Sequence, residues 1–527
     1  TDPWQKQTYQ RVAECCAHIA FHAPRTYYEG VQWIHFAVML DRVVGHGNGY
    51  GRLDLYLIDL YRRSKATGAL SDDEAREYLS EMFLKLRGQF FSLGGRDADL
   101  RDATNDMSFV VLEAYDLIGD YNNLGVMWHP DINREFYDYA CDVLARHGES
   151  IPVLVNYDLM REAELRSGIP EQDAWKVSYS GCQWFCIPGK EFCDQDVNSL
   201  DLLAPMKRTI AAAMAQRIGA FEAFYALFEE ELARTARALR DWKNCQYERL
   251  GDLWPEMFTS MNSHGPIERG MDMVAARGVD YQYTSVNILG IPNVADSFHA
   301  IKKLVFEKKM YALAEVKEAT ETNWKGREPM RQRFLNQDKF GNDLDDVDAL
   351  FVRITESLAK VLGGMVNLRG QEFRASLFHF QGHVTPSAIG ATPDGRLAEE
   401  YLAHGINPQV GRNTAGLLAT ANSLAKADER KFQGGPLQVE LQPKFFDGKE
   451  EVGTYVRDFS ETFFKKGGIQ INLNIMDLKK LRDAIDHPEN PAYQNIIVRV
   501  TGYASRFICL PKTYQKEFVE RVNYEGF

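Results

Sequence analysis

Cysteine is scarce. Eight residues, Cys15, Cys16, Cys141, Cys182, Cys186, Cys193, Cys245 and Cys509, are spread over 527 positions. That density excludes a disulfide scaffold and makes a reducing cytoplasm the expected compartment, with each thiol either core filler or chemistry. Long apolar runs are missing too. No stretch approaches 18 uninterrupted apolar residues, which argues against a membrane-spanning helix. Thr1-Asp2-Pro3-Trp4-Gln5-Lys6 has neither the basic start nor the apolar run expected of a secretory signal. Basic residues are in deficit, 61 against 74 acidic for a net charge of −13. A nucleic-acid binder would need a basic stripe for phosphates, so that class is set aside.

Familiar catalytic signatures are absent as well. There is no H-E-x-x-H pair and no G-x-S-x-G elbow. The glycine-rich run Gly45-His46-Gly47-Asn48-Gly49-Tyr50-Gly51 lacks a Gly-Lys-Ser/Thr ending and reads as a turn. Cys182-x-x-x-Cys186 starts like a cluster-binding loop, but Gly189 stands where the third ligand belongs, so no metal is expected. What remains is a globular composition, 45% hydrophobic with 26% charged residues, in a chain long enough for several domains or one large barrel.

Residues 71–88 read as a helix, opened by Ser71 and the acidic Asp72, Asp73 and Glu74. Residues 206–240 and 295–318 repeat the helical period. Short apolar runs lie between: Phe109–Leu112, Ile151–Val155, Ile469–Ile475 and Ile496–Val500. The third alternates with period two, and the fourth is nearly continuous and β-branched, as a buried strand should be. Strands separated by long helical stretches predict an α/β fold. Residues 383–435 are rich in Gly, Pro, Asn and Asp, which predicts an irregular crossing. The expected division is 1–385 and 386–527.

Two segments stand out. One is Tyr179-Ser180-Gly181-Cys182-Gln183-Trp184-Phe185-Cys186-Ile187-Pro188-Gly189-Lys190; the other is Ile497-Val498-Arg499-Val500-Thr501-Gly502-Tyr503-Ala504-Ser505-Arg506-Phe507. Alone, the first reads as a buried small hydrophobe between apolar neighbours and the second as a turn after a strand. Together they resemble the glycyl radical enzyme family. Arg499-Val500-x-Gly502-Tyr503-x-x-x-Phe507 is similar to its radical-bearing loop. Five further blocks agree in order: Ala23–Gln32, Gly51–Leu57, Leu93–Asn105, Val294–Ser297 and Gly390–Arg396.

The resemblance implies a ten-stranded α/β barrel of the pyruvate formate-lyase type, helices outside, with the cysteine and glycine loops meeting inside. Residues 1–385 would be the barrel region carrying the cysteine loop, and 386–527 the glycyl radical domain. It implies Cys182 and Gly502 as catalytic residues. A glycyl radical at Gly502 would be installed post-translationally by a separate iron–sulfur, S-adenosylmethionine activating enzyme, with no cofactor bound to this chain. The partners implied are that enzyme, a small-molecule substrate and a second copy in a homodimer, with no nucleic acid and no membrane. Only glycine lets a Cα radical become planar without a side-chain clash. A thiol S–H bond is of similar strength, so exchange with Cys182 needs a neutral thiol rather than a thiolate. Family members are usually longer at the N-terminus. The expectation is therefore a fragment, or a barrel whose early strands come from another chain.

For the reaction, the eliminating members carry Gly-Cys-x-Glu, whereas here Trp184 stands at the glutamate position and Gln183 follows the cysteine. Tryptophan cannot accept a proton. Trp184 and Phe185 together suggest an apolar substrate pocket. The favoured reading is a lyase cleaving a C–C or C–heteroatom bond of a small organic acid, arylacetate-type decarboxylation first. Alternatives are a dehydratase or eliminase with a displaced base at Glu191 or Asp196, and addition of a hydrocarbon to fumarate (the X-succinate synthase reaction), with Arg208 as carboxylate anchor. A catalytically silent homologue is the alternative of another class.

Overall fold

A computed structural model describes residues 2–44, 49–119, 122–194, 198–248, 253–275, 277–379, 386–446, 451–500 and 502–521. Gly45–Asn48 and Asp196 therefore lie outside the described residues.

β1 (Gly51–Arg52), β2 (Phe90–Gly94), β3 (Asn123–Trp128) and β4 (Val153–Asn156) run parallel, side by side. Parallel neighbours need long crossovers, and helices supply them. Leu53–Ala66 and Asp72–Lys85 link β1 to β2, Asp106–Ile118 links β2 to β3, and Arg134–His147 links β3 to β4. The helix at Asp72 starts as the sequence predicts. Ser71 Oγ accepts from Glu74 N at 3.2 Å, and the Glu74 carboxylate accepts from Ser71 N at 2.9 Å.

β5 (Ser178–Tyr179) and β6 (Phe185–Cys186) form an antiparallel hairpin. β7 (Glu191–Cys193), β8 (Ser199–Asp201) and β10 (Phe373–Ser376) all pair in parallel with β9 (Tyr281–Leu289) as a four-stranded sheet. β11 (Pro436–Leu441) and β12 (Gln470–Ile475) return to the first sheet, giving the order β1-β2-β3-β4-β12-β11, with β12 antiparallel to β4. Backbone bonds Gln433 N to Ala375 O and Leu377 N to Gly434 O, both 2.8 Å, join the approach to β11 with the four-stranded sheet. β13 (Ile497–Arg499) and β14 (Ala504–Arg506) make a second hairpin.

The strands are two-faced. Leu437, Val439, Leu441, Ile471 and Leu473 pack into the main core with the helices. Each such side chain stabilises the wall by roughly 1.5–3 kcal/mol. Gln438, Glu440, Gln470, Asn472 and Asn474 alternate with them on the opposite face and are also buried. The interior is thus polar, which is what the period-two pattern over 469–475 encodes.

Three sequence expectations change. Phe109–Leu112 is not a strand; it lies inside the helix Asp106–Ile118. Asn105 Oδ1 accepts from Met107 N at 2.9 Å and Ser108 Oγ accepts from Asn105 N at 3.1 Å, and this cap outweighs the β preference of Val110-Val111. Residues 206–240 fall in two helices, Leu203–Ala215 and Phe221–Tyr247. Residues 295–318 are divided among Ile291–Ile301, the wider turn Lys302–Glu307 and Leu313–Glu321. Both sides of residue 386 contribute strands to the first sheet.

Candidate active site

The β5–β6 hairpin carries Cys182 at its tip. Tyr179 pairs with Phe185, and Ser180 N donates to Trp184 O at 3.0 Å, so residues 181–183 form the connecting turn. Gln470 Nε2 on β12 donates to Cys182 O at 3.0 Å and holds that turn inside the barrel. Gly434, at φ +115, lies against Gln183; a Cβ there would come within 3.1 Å of Gln183 Cγ and overlap its carbonyl oxygen. The turn enters because position 434 has no side chain.

The β13–β14 hairpin carries Gly502. Val500 N donates to Tyr503 O at 2.9 Å, and Gly502 sits at φ +86. A Cβ built on Gly502 would lie 2.8 Å from Cys182 Sγ and overlap Cys182 Cβ. Two residues 320 positions apart in sequence thus meet in van der Waals contact, and only glycine permits both the backbone angle and the approach. Cys182 is 7% exposed and Gly502 is buried, so the contact is closed to bulk solvent.

Arg499 ties the hairpins together. It is fully buried. Its Nη2 donates to Gly502 O at 2.9 Å and to Tyr179 OH at 2.7 Å. Nε reaches Asn472 Oδ1 at 3.0 Å and Nη1 reaches Asn123 Oδ1 at 2.9 Å. Burial pushes the Tyr179 hydroxyl up, although Arg499 opposes this.

The final helix, Lys512–Arg521, closes the other side. Arg521 Nη1 donates to Val500 O at 2.8 Å, while its Nε and Nη2 donate to Glu517 at 2.8 and 2.7 Å. His404 Nε2 lies 2.6 Å from Glu517 Oε1. Burial alone would push the Glu517 carboxyl up; Arg521 and His404 overcome it and hold it down at about 2. Glu440, 3.8 Å from Arg521, is pushed up to about 7 by burial.

The other expected site residues separate. Trp184 is fully buried and clusters with Cys182, Phe378 and Phe90. Its Nε1 donates to Ser285 Oγ at 2.9 Å, and its ring meets Phe378 edge-on at 6.0 Å. Gln183 Nε2 donates to Ser376 Oγ at 2.8 Å, while its Oε1 has no partner among the described residues. Phe185 points the other way, into the core around Met127, Tyr157 and Ile187. The β alternation that turns Trp184 inward turns Phe185 outward.

Glu191, one expected displaced base, is occupied. It accepts from Ile187 N at 2.9 Å and from Arg374 Nη1 at 3.0 Å, and Arg374 also reaches Glu164 at 3.2 Å. Burial pushes both carboxyls up. Arg208 is bound to Glu231 at 2.8 Å between the helices Leu203–Ala215 and Phe221–Tyr247, with no contact to the cysteine turn. Gln470, Asn472 and Tyr179 were not singled out from sequence. The polar phase of the 469–475 alternation carried a signal for the first two; Ser285, Ser376 and Phe378 had none, because distant strands deliver them.

A family model for pyruvate formate lyase-like proteins matches residues 1–386, and a glycine radical model matches residues 402–508. The chain belongs to the pyruvate formate lyase-like, glycyl radical family. Among curated relatives of this glycyl radical protein, trans-4-hydroxy-L-proline dehydratase of Clostridioides difficile is 26% identical, aligning with 99% of this chain and 70% of its own length. Indoleacetate decarboxylase of Tractidigestivibacter scatoligenes is also 26% identical, over 98% of this chain and 65% of its own. A solved structure concerned with 1,2-propanediol dehydration in Roseburia inulinivorans superposes with TM-score 0.93 at 26% identity, covering 99% of this chain and 71% of that one. A glycyl radical enzyme from Archaeoglobus fulgidus shares the fold, with TM-score 0.91 at 21% identity, over 99% of this chain and 71% of its own. The α/β barrel is thus the pyruvate formate-lyase type. No helix among the described residues is long and apolar enough to cross a membrane.

Proposed function

We propose that this glycyl radical protein is a lyase in which Gly502 stores an unpaired electron and Cys182 uses it. The observation that carries the reading is the contact of these two residues inside the barrel, away from solvent. The Cys182 S–H hydrogen passes to the Gly502 Cα radical, leaving a sulfur radical that takes a hydrogen atom from a substrate carbon. The hydrogen returns after bond cleavage, so the cycle consumes no electrons. Residues 386–527 would carry the radical and 1–385 the cysteine. Activation would fall to a cytoplasmic S-adenosylmethionine and iron–sulfur enzyme.

For the substrate we favour an arylacetate-type acid losing carbon dioxide. What supports this is the apolar cluster of Trp184, Phe378 and Phe90 at Cys182, with Trp184 committed to Ser285 and unable to act as a base. Elimination of water from a small polyol is the second reading. It is favoured by Gln183 Oε1 at the same turn, which has no partner among the described residues and could accept from a hydroxyl. The test is anaerobic activation followed by electron paramagnetic resonance, with Gly502→Ala as control, then turnover assays. Labelled carbon dioxide from arylacetates supports the first reading and an aldehyde from diols the second. A doublet persisting in Gly502→Ala removes the assignment of Gly502, and turnover only of hydrocarbon plus fumarate removes both substrate readings.

A further inference from the structure

Arg499 poses an energetic problem that its structural role does not solve. A buried guanidinium ordinarily needs a carboxylate, because leaving water costs several kcal/mol per ion. Among the buried arginines, Arg521 has Glu517 and Arg374 has Glu164 and Glu191, whereas Arg52 and Arg396 are held by backbone carbonyls and, for Arg396, the Thr392 hydroxyl. Arg499 is of the second kind. Its partners among the described residues are the neutral oxygens of Asn472, Asn123, Tyr179 and Gly502. The barrel therefore holds a positive charge with no opposite charge in contact among the described residues, 2.9 Å from the carbonyl oxygen of the residue that meets Cys182.

A Cα radical changes that carbonyl. In closed-shell glycine the tetrahedral Cα separates the carbonyl from the amide nitrogen. In the planar radical the nitrogen lone pair, Cα and C=O conjugate, and the form with negative charge on oxygen gains weight. A cation hydrogen-bonded to that oxygen binds the radical more strongly than the parent glycine. Charge-assisted bonds are about twice as strong as neutral ones, and a dry interior strengthens them further. The device is electrostatic preorganisation aimed at a charge that develops in only one of two states.

We infer that Arg499 is a positioning residue whose uncompensated charge holds the unpaired electron on Gly502 rather than Cys182. The exchange is Gly502 radical plus Cys182 S–H in balance with Gly502 Cα–H plus Cys182 sulfur radical. One C–H bond forms as one S–H bond breaks: a hydrogen atom moves from sulfur to carbon, and no proton or electron is exchanged with the surroundings. Arg499 sets the position of this balance, keeping the sulfur radical rare until substrate is present. The inference rests on the reading of Gly502 as radical carrier.

The test uses the full chain, activated anaerobically, in wild type, Arg499→Gln, Arg499→Lys and Asn472→Asp. The last variant is the informative one. Asn472 Nδ2 has no partner among the described residues, so a carboxylate there forfeits no hydrogen bond with them, keeps Arg499 in place and cancels its charge through the 3.0 Å contact with Nε. The readout is the collapse of the paramagnetic doublet to a singlet in deuterium oxide. The Cys182 thiol exchanges with solvent and delivers deuterium to Gly502 Cα whenever the electron visits sulfur. Arg499→Gln and Asn472→Asp should speed the collapse by about tenfold, the equivalent of about 1.4 kcal/mol, and reduce the carbonyl hyperfine coupling in carbonyl-¹³C-glycine protein. Arg499→Lys should stay near wild type. Equal collapse rates in wild type and Asn472→Asp, or Lys as impaired as Gln, overturn the inference while leaving Gly502 as carrier. A wild type with no doublet overturns the radical reading and this inference with it.

Discussion

Gly502→Ala should do more than remove a radical site; it should push the two hairpins apart. Alanine at φ +86 pays for a left-handed backbone, about 1–2 kcal/mol. Its methyl would also press within 2.8 Å of Cys182 Sγ and 2.9 Å of Cys182 Cα. Overpacking of that kind costs about 1–3 kcal/mol, so the total loss is about 2–5 kcal/mol. The two contributions separate in a double-mutant cycle. Cys182→Gly removes the Cβ and Sγ that the methyl meets, so in that background Gly502→Ala should cost the backbone strain and what remains of the approach to the Cα of residue 182. The coupling between the two substitutions should be about 1–3 kcal/mol. Urea denaturation of the unactivated proteins, compared at constant slope, measures it. If Gly502→Ala costs the same in both backgrounds to within about 0.5 kcal/mol, the two residues do not touch, and the hydrogen-transfer reading fails with the contact.

Glu440 makes stability depend on pH. Its folded value of about 7 lies above the ordinary 4.5, so folding favours the neutral acid. That stabilisation is complete below about pH 4.5 and is lost as pH rises through 7, a change of about 3 kcal/mol. Glu440→Gln should flatten the decline in denaturation midpoint between pH 5 and 8. Glu517 behaves oppositely, since its folded value of about 2 lies below 4.5. Its contribution is present above pH 4.5 and is lost as pH falls toward 2. At pH 7, Glu517→Gln strands the Arg521 guanidinium and should cost about 3–5 kcal/mol, read as faster amide exchange across residues 497–506. Trp184→Phe leaves Ser285 Oγ without its indole donor and should cost about 1–2 kcal/mol. The glycyl doublet should survive that substitution while arylacetate turnover falls; unchanged arylacetate turnover would detach Trp184 from the substrate.

Local pattern carried the reading furthest where a short-range cause dominates. The Ser71–Glu74 cap lies within one helical turn, and the alternation over 469–475 lies within one strand, so both were legible. Phe109–Leu112 was misread because four apolar residues suit a buried strand or a buried helix equally, and the deciding Asn105–Ser108 cap lies just outside the run. Phe185 was grouped with Trp184 because neighbours in sequence look like neighbours in space, whereas a pleated strand sends them to opposite faces.

Residue identity alone pointed to the α/β class, through hydrophobic period; the two loops, and the expectation of glycine at 502, came from their resemblance to the glycyl radical family. Each of those motifs is written in a few consecutive letters. Residue identity could not establish that Gly502 lies against Cys182, that Arg499 binds the Gly502 carbonyl with no carboxylate partner among the described residues, or that Glu191 is already paired. These depend on which strands the two sheets bring together over hundreds of residues. Burial then sets the strength of each charge, and no local stretch of chain encodes it.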